Sequence, residues 1–236
     1  MSFSVIAGAA ASSSTLNNVT TTGINTSGAN LIVVAVNAVT GVTATLSDSN
    51  SNTWMLISSQ ATGGSPSGTN YLYYCYAPTV GSGHTFTVTT TAGAPAVAAI
   101  AVSGASPSPF EQSVQAFTAA GSPVNLPNDL TPEMPYELLV TGVGANVIPA
   151  TFSINAGYTI EAQSACTAGK GSPIAIAYLI QTAQANSQPS WSFTGGTGSS
   201  RGAAVLATFQ SVLPLDWNVR QEYEQDTQGQ ILGRIH

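Results

Sequence analysis

Leu31-Ile-Val-Val-Ala-Val-Asn-Ala38 and Leu138-Leu-Val-Thr-Gly-Val-Gly-Ala145 decide how this chain folds. Each reads as a hydrophobic strand, and they lie 107 residues apart. Their surroundings repeat in the same order. Ala44-Thr-Leu-Ser47 is matched by Ala150-Thr-Phe-Ser153, and Trp54 by Tyr158. Tyr71-Leu-Tyr-Tyr-Cys-Tyr76 aligns with Ala175-Ile-Ala-Tyr-Leu-Ile180 at an offset of 104. Phe86 falls opposite Trp191, and Ala99-Ile-Ala-Val102 opposite Val205-Leu-Ala-Thr208. Matches in this order point to a duplication with a period of about 105 residues. The drift in offset belongs in turns, where changes of length are tolerated.

Each half reads as about five strands. Thr85-Phe-Thr-Val-Thr89 and Ser190-Trp-Ser-Phe-Thr194 alternate hydroxyl and apolar residues, the pattern of a half-buried strand. Turn clusters separate the runs, at Ser47-Asp-Ser-Asn-Ser-Asn52, Gly63-Gly-Ser-Pro-Ser-Gly68, Gly81-Ser-Gly83 and Gly195-Gly-Thr-Gly-Ser-Ser200. No helical stripe occurs before residue 215. The expected fold is an all-β, antiparallel, jelly-roll-like sandwich built from two pseudo-repeats, 31–105 and 138–210. The Pro-rich passage 106–132 reads as the link between them. Five strands alone offer a thin core, so one composite sandwich over 1–212 is expected, followed by a C-terminal arm over 213–236. The repeat also assigns faces. Leu72, Tyr74 and Tyr76 match Ile176, Tyr178 and Ile180 and should point inward, leaving Tyr71 and Tyr73 for an outer face.

Composition narrows the function. Only 6% of the 236 residues are charged, four basic and ten acidic, where about 25% is usual. Catalysis by titratable groups has little to draw on. Lys170, Arg201, Arg220 and Arg234 form no cluster of the kind that binds a phosphate backbone, so nucleic acid is not an expected partner. The amino terminus has no basic region before an apolar one, so no secretory signal is expected. No run of eighteen apolar residues suggests a membrane helix, and no membrane partner is expected. Cys75 and Cys166 could form one bridge, but two cysteines make no disulfide framework.

Several motifs approach chemistry and stop short. Asp48-Ser-Asn-Ser-Asn52 imitates the opening of a calcium loop, but Thr53 stands where the sharp-turn glycine belongs and Ser59 where the bidentate glutamate belongs. A hairpin turn explains it more simply. His84 is the one histidine placed to be an oriented base, and no partner is singled out for it, so no carboxylate is expected within hydrogen-bond reach of its ring. No nucleophile elbow is present. Glu111, Asp129, Glu133, Glu137 and Glu161 are candidates for a glycosidase pair only by being acidic, and read as solubilising charges. No catalytic residue, metal ligand or cofactor is therefore expected. Glycan binding needs exposed aromatic faces, for which Tyr71 and Tyr73 are nominated. Trp54 and Trp191 read as core.

After Leu213-Pro-Leu215 the chain changes character. Residues 216–236 hold four of the ten acids and two of the four bases. Trp217, Tyr223, Ile231, Leu232 and Ile235 supply apolar anchors by which such an arm would dock on another surface.

The run Leu31–Val36, the turn Ser47-Asp-Ser-Asn-Ser-Asn-Thr-Trp54, Tyr73-Tyr-Cys-Tyr76 and Thr85–Val88 resemble a diffuse group of phage and bacterial surface β-sandwich proteins. In that group a D-x-x-G-N-T-W/Y turn follows a hydrophobic strand; here Ser51 takes the glycine's place. The resemblance covers 31–210 loosely. It implies a virion structural or adhesive role and carries over no functional residue. The expected function is a non-enzymatic structural protein of a tailed phage virion, made in the host cytoplasm. It would be a head decoration, head fibre or tail-associated protein that forms homo-oligomers and contacts other virion subunits. The alternative is a glycan-binding module.

Overall fold

The structure is a computed structural model and describes residues 2–39, 41–62, 68–118, 121–127, 130–146, 151–155, 157–166, 171–194 and 201–212. The first half contains β1 (Ser4–Ser12), β2 (Asn18–Thr20), β3 (Leu31–Val39), β4 (Ala44–Asp48), β5 (Met55–Ala61), β6 (Gly68–Tyr76), β7 (Phe86–Thr90) and β8 (Ala96–Ser103). The second contains β9 (Ala105–Thr118), β10 (Val124–Asn125), β11 (Leu138–Ala145), β12 (Thr151–Ile154), β13 (Thr159–Ser164), β14 (Ile174–Ile180), β15 (Ser190–Thr194) and β16 (Gly202–Ser211). The described chain is all-β and antiparallel.

The duplication is complete in the topology. The first half forms a five-stranded sheet in the order β1-β8-β3-β6-β5 and a three-stranded sheet β2-β7-β4. Adding eight to every label gives the second half, β9-β16-β11-β14-β13 and β10-β15-β12. The register follows the sequence alignment. Leu31 faces Tyr76 and Leu138 faces Ile180; Leu46 faces Val88 and Phe152 faces Phe193. Even the bulges agree, lying between Leu56 and Ser58 in one copy and between Ile160 and Ala162 in the other. One match slips by a residue. Leu31 and Leu138 pair with Val102 and Phe209, so Ala99 is equivalent to Leu206 and not to Val205. Runs of alanine and valine carry too little bulk to pin a register by pattern alone.

The strand count differs from the expected five per half. The small-residue strand Ser4–Ser12 has weak periodicity, and the passage read as a link holds the fourteen-residue β9. Its Pro107 and Pro109 are tolerated because β9 is an edge strand, where a missing N–H need not break a ladder. The halves are joined at Gly104, at φ +98. A Cβ there would come within 2.6 Å of the Ser2 carbonyl oxygen.

Two five-stranded sheets lie face to face, with β1 over β13, β8 over β14, β3 over β11, β6 over β16 and β5 over β9. Equivalent strands exchange under a half-turn about an axis running along β3 and β11. The result is four layers, three, five, five and three strands thick. Alternate side chains of β3 explain the layering. Leu31, Val33 and Ala35 enter the central core with Leu72, Ile100, Leu138, Val140, Ile176 and Phe209. Ile32, Val34 and Val36 enter the first half's own core with Phe86 and Val88. Leu139, Val143, Phe152 and Trp191 build the corresponding core of the second half. Each fully buried aliphatic side chain contributes about 1.5–3 kcal/mol by leaving water. Both five-stranded sheets are therefore covered on two faces, which is why β3 and β11 read as apolar throughout.

This layering corrects the assignment of faces. Leu72, Tyr74 and Tyr76 do point to the central core. Tyr71 and Tyr73 point the other way, but into the first half's own core, where they are half-buried.

Candidate functional site

Polar side chains gather in two places. The first is the turn between β4 and β5. Asp48 ends β4 and its carboxylate collects donors from its own turn, the Asn50 N–H at 2.7 Å, the Asn52 N–H at 3.2 Å and the Asn52 side-chain amide at 3.2 Å. The Trp54 indole N–H donates to Oδ2 at 2.9 Å, and His84 Nε2 approaches Oδ1 at 3.1 Å. Asn52 in turn accepts the Thr79 N–H at 2.6 Å. Ser51 takes φ +58, the left-handed conformation that favours glycine. The Asp-x-x-Ser-Asn-Thr-Trp motif is thus a self-satisfied turn. Its carboxylate is surrounded by N–H groups, which repel a cation where a calcium loop would aim oxygens.

The Asp48–His84 contact overturns an expectation, since His84 has a carboxylate within reach. On its other side, Nδ1 lies 3.0 Å from Thr26 Oγ1, which also accepts the Gly81 N–H at 3.1 Å. The Thr26 hydroxyl lies within donating distance of both His84 Nδ1 and the Gly81 carbonyl, at 3.0 and 3.2 Å, so the chain runs from Gly81 through Thr26 and the His84 ring to Asp48. A hydroxyl, an imidazole and a carboxylate in series is the order of a nucleophilic triad. Here the Asp48 and His84 side chains are 0% exposed and the His84 ring stacks on Phe86 at 4.6 Å. The series ties three segments of the first half together inside the protein. The pairing of β4 with β7 brings the two together, with Asp48 directly opposite Phe86, two residues beyond His84.

The second gathering was missed. Glu137, read as a solubilising charge, is 0% exposed at the start of β11. Its Oε1 accepts the Met134 N–H at 3.0 Å, while no donor among the described residues reaches Oε2. The group it meets is the carboxyl of Glu111, from β9. Glu111 accepts the Thr208 hydroxyl at 2.7 Å and the Glu133 N–H at 2.6 Å. Burial first, then the hydrogen bond and charge of Glu111, push the Glu137 carboxyl from its ordinary 4.5 up to about 8. The shift favours the protonated form of the Glu137 carboxyl beside Glu111. The repeat held the clue, because Glu137 occupies the place of Asn30. Both carbonyls accept the equivalent backbone bond at 2.9 Å, from Ala77 to Asn30 and from Gln181 to Glu137. Asp129, another of the candidate acids, lies outside the described residues. Glu161 sits at the β13 bulge against Gly8, and burial raises its carboxyl also.

The remaining nominees disperse. Tyr71 and Tyr73 stack on one another with centroids 6.2 Å apart, half-buried, and burial pushes the Tyr73 phenol up. Trp191 is fully buried, its indole N–H donating to Thr141 at 3.0 Å. Trp54 meets Phe86 edge-on at 6.0 Å. Cys75 and Cys166 are both buried, and no disulfide joins them. The arm residues Trp217, Tyr223, Ile231, Leu232 and Ile235 lie outside the described residues. Among the described residues no three His, Cys, Asp or Glu side chains converge to hold a metal ion.

No family model matches the chain, and no curated protein does. Among solved structures the chain is loosely similar to one titled Red Clover Necrotic Mosaic Virus, with 10% identity, a TM-score of 0.27, and 84% of this chain and 88% of that one covered. A structure of Melon necrotic spot virus follows at 8% identity and a TM-score of 0.23, covering 86% and 97%. An anti-sigma factor domain-containing protein gives 10% identity and a TM-score of 0.21, covering 81% and 74%. At these scores the likenesses carry no argument about fold or function.

Proposed function

We propose that this chain is a non-enzymatic structural and assembly protein of a tailed phage virion. It would act as a head decoration, head fibre or tail-associated protein that contacts neighbouring subunits, including further copies of itself. The observation that carries the reading is an asymmetry between equivalent rims of the stack. At the rim of β5 and β9, Met55, Leu56 and Phe117 are 46%, 53% and 51% exposed. Their equivalents at the rim of β13 and β1 are Thr159, the half-buried Ile160 and Ser12, whose hydroxyl bonds Ser164 at 2.9 Å. One rim is polar or covered while its equivalent presents apolar side chains to solvent. Apolar groups displayed against the pattern of their own repeat fit a contact surface.

Two further features support this reading. The two polar gatherings hold segments of the fold together, Asp48 with His84 in the first half and Glu111 with Glu137 in the second. The chain's scarcity of charge leaves its surface to hydroxyls and amides, suited to contacts that endure in a particle. The arm over 213–236, with its five apolar anchors, would supply the link between subunits. The test is the content of purified particles. Mass spectrometry of particles banded from an infected host should find this chain at a fixed copy number per particle, with immunogold label on their surface. Recovery only from the unassembled soluble fraction would contradict the proposal.

A further inference from the structure

We propose that Glu111 and Glu137 form a proton-sharing clasp that holds the strap Thr131–Glu137 against β9 and releases it as the pH rises. The strap has no ladder of its own. It is held by side chains: the Gln112 amide donates to the Thr131 carbonyl at 2.7 Å, and the Gln184 amide to the Pro132 carbonyl at 2.9 Å. The Gln184 amide also reaches the Glu133 carbonyl at 3.3 Å and the Gln181 N–H bonds the Glu137 carbonyl at 2.9 Å, while two further ties end on the carboxyl pair, from the Glu133 N–H to Glu111 and from the Met134 N–H to Glu137. Both acceptors are needed, and they lie against each other. Two carboxylates in contact inside a protein cannot both ionise at neutral pH, so a proton between them is the condition for the strap to stay shut. Among the described residues Glu137 Oε2 has no other donor.

The groups facing Glu137 are Glu111 from β9, Thr208 from β16 through Glu111, and Gln181 after β14 through its backbone N–H. Glu133 adds a further negative charge from the strap, which also carries Tyr136. Every charge among the groups acting on Glu137 is negative. The repeat shows what a neutral clasp looks like. Asn30, at the equivalent place, closes on Ala105 with its amide N–H donating to the carbonyl at 2.8 Å and its oxygen accepting the N–H at 3.1 Å. One copy has a clasp indifferent to pH; the other has a clasp that needs a proton. The strap follows Leu130, which is fully buried in the second half's core beside Trp191, so its release would loosen one end of that core.

Hydrogen exchange on the full chain tests the clasp. If opening returns Glu137 to an ordinary carboxyl, protection at the Met134 and Glu133 amides, corrected for intrinsic rate, should fall about tenfold per pH unit between pH 5 and 8. It should level off above 8, while amides of β3 hold. Glu137→Gln, which keeps a hydrogen-bond donor and carries no charge, should flatten that slope. A carbon-13 titration of the unmodified chain reads the same proton without any substitution, and Glu137 should still be protonated at pH 6. Protection that does not change with pH in the unmodified chain, or a Glu137 carboxyl ionised by pH 6, would overturn the proposal. A slope that survives Glu137→Gln in a folded protein would overturn it too.

Discussion

Gly142 lies directly against Ala35, the residue equivalent to it in the other copy, and a Cβ on Gly142 would come 2.6 Å from the Ala35 Cβ. Residues meet their own equivalents only near a symmetry axis, so this pair marks where the internal twofold passes. Two residues on, Gly144 meets its equivalent Asn37, whose amide donates to the Ala145 and Pro173 carbonyls at 3.1 Å. In each pair one copy has given up its side chain to make room for the other. The contact that joins the halves is thus written asymmetrically into a symmetric fold.

Gly142→Ala should destabilise the protein by about 1–3 kcal/mol, the cost of overpacking a filled core. Ala35→Gly introduced together with it should recover part of the loss by exchanging the methyl group between copies. Urea unfolding of the single and double variants measures both. Equal stability of Gly142→Ala and the unmodified chain would place the axis elsewhere.

Ser51 occupies the left-handed backbone region at φ +58 in the turn after Asp48. An ordinary side chain in that region costs on the order of 1–2 kcal/mol, and glycine returns part of this as greater freedom in the unfolded chain. Ser51→Gly should therefore raise stability by about 0.5–1 kcal/mol, seen as a higher denaturation midpoint at unchanged m-value.

Asp48→Ala should strip acceptors from the His84 ring and the Trp54 indole at once. Each buried donor left without a partner costs about 1–3 kcal/mol, so a loss of about 3–5 kcal/mol is expected. Asp48→Asn keeps one oxygen and should lose less. Melting curves rank the three proteins, and Trp54 fluorescence in a background carrying Trp191→Phe and Trp217→Phe reports whether the indole has been freed.

The buried Glu137 carboxyl also sets a sign for overall stability. Its folded value, about 8, lies above the ordinary 4.5, so between those limits the native chain holds the proton that the unfolded chain releases. Its contribution is fully present below pH 4.5 and is lost as the pH rises through 8. The difference in melting temperature between the unmodified chain and Glu137→Gln should narrow or reverse steadily from pH 4.5 to 8. A difference constant across that range would refute the assignment.

Pattern in the sequence carried the fold a long way and the polar sites very little. Leu31–Ala38 and Leu138–Ala145 revealed the duplication because bulky apolar residues recur at a constant offset. The strands built on alanine, serine and proline, β1 and β9, stayed hidden because they owe their place to neighbours and not to their own periodicity. Glu111 and Glu137 are 26 positions apart in the chain and meet only once β9 and β11 flank β16. A charge reads as a surface residue until the partner that keeps it neutral is known. The carboxylate partner of His84 was missed for the same reason, since Asp48 lies across a sheet. The outer face assigned to Tyr71 and Tyr73 failed because a third layer, β2-β7-β4, covers it.

Sedimentation velocity on the full chain and on a chain ending at residue 215 tests the assembly role most directly. The truncated protein should remain folded, with an unchanged near-ultraviolet circular dichroism spectrum from the buried Trp191 and its aromatic neighbours. The full chain should sediment as an oligomer and the truncated chain as a monomer, and only the full chain should incorporate into particles. Identical sedimentation and identical incorporation of the two proteins would contradict the account.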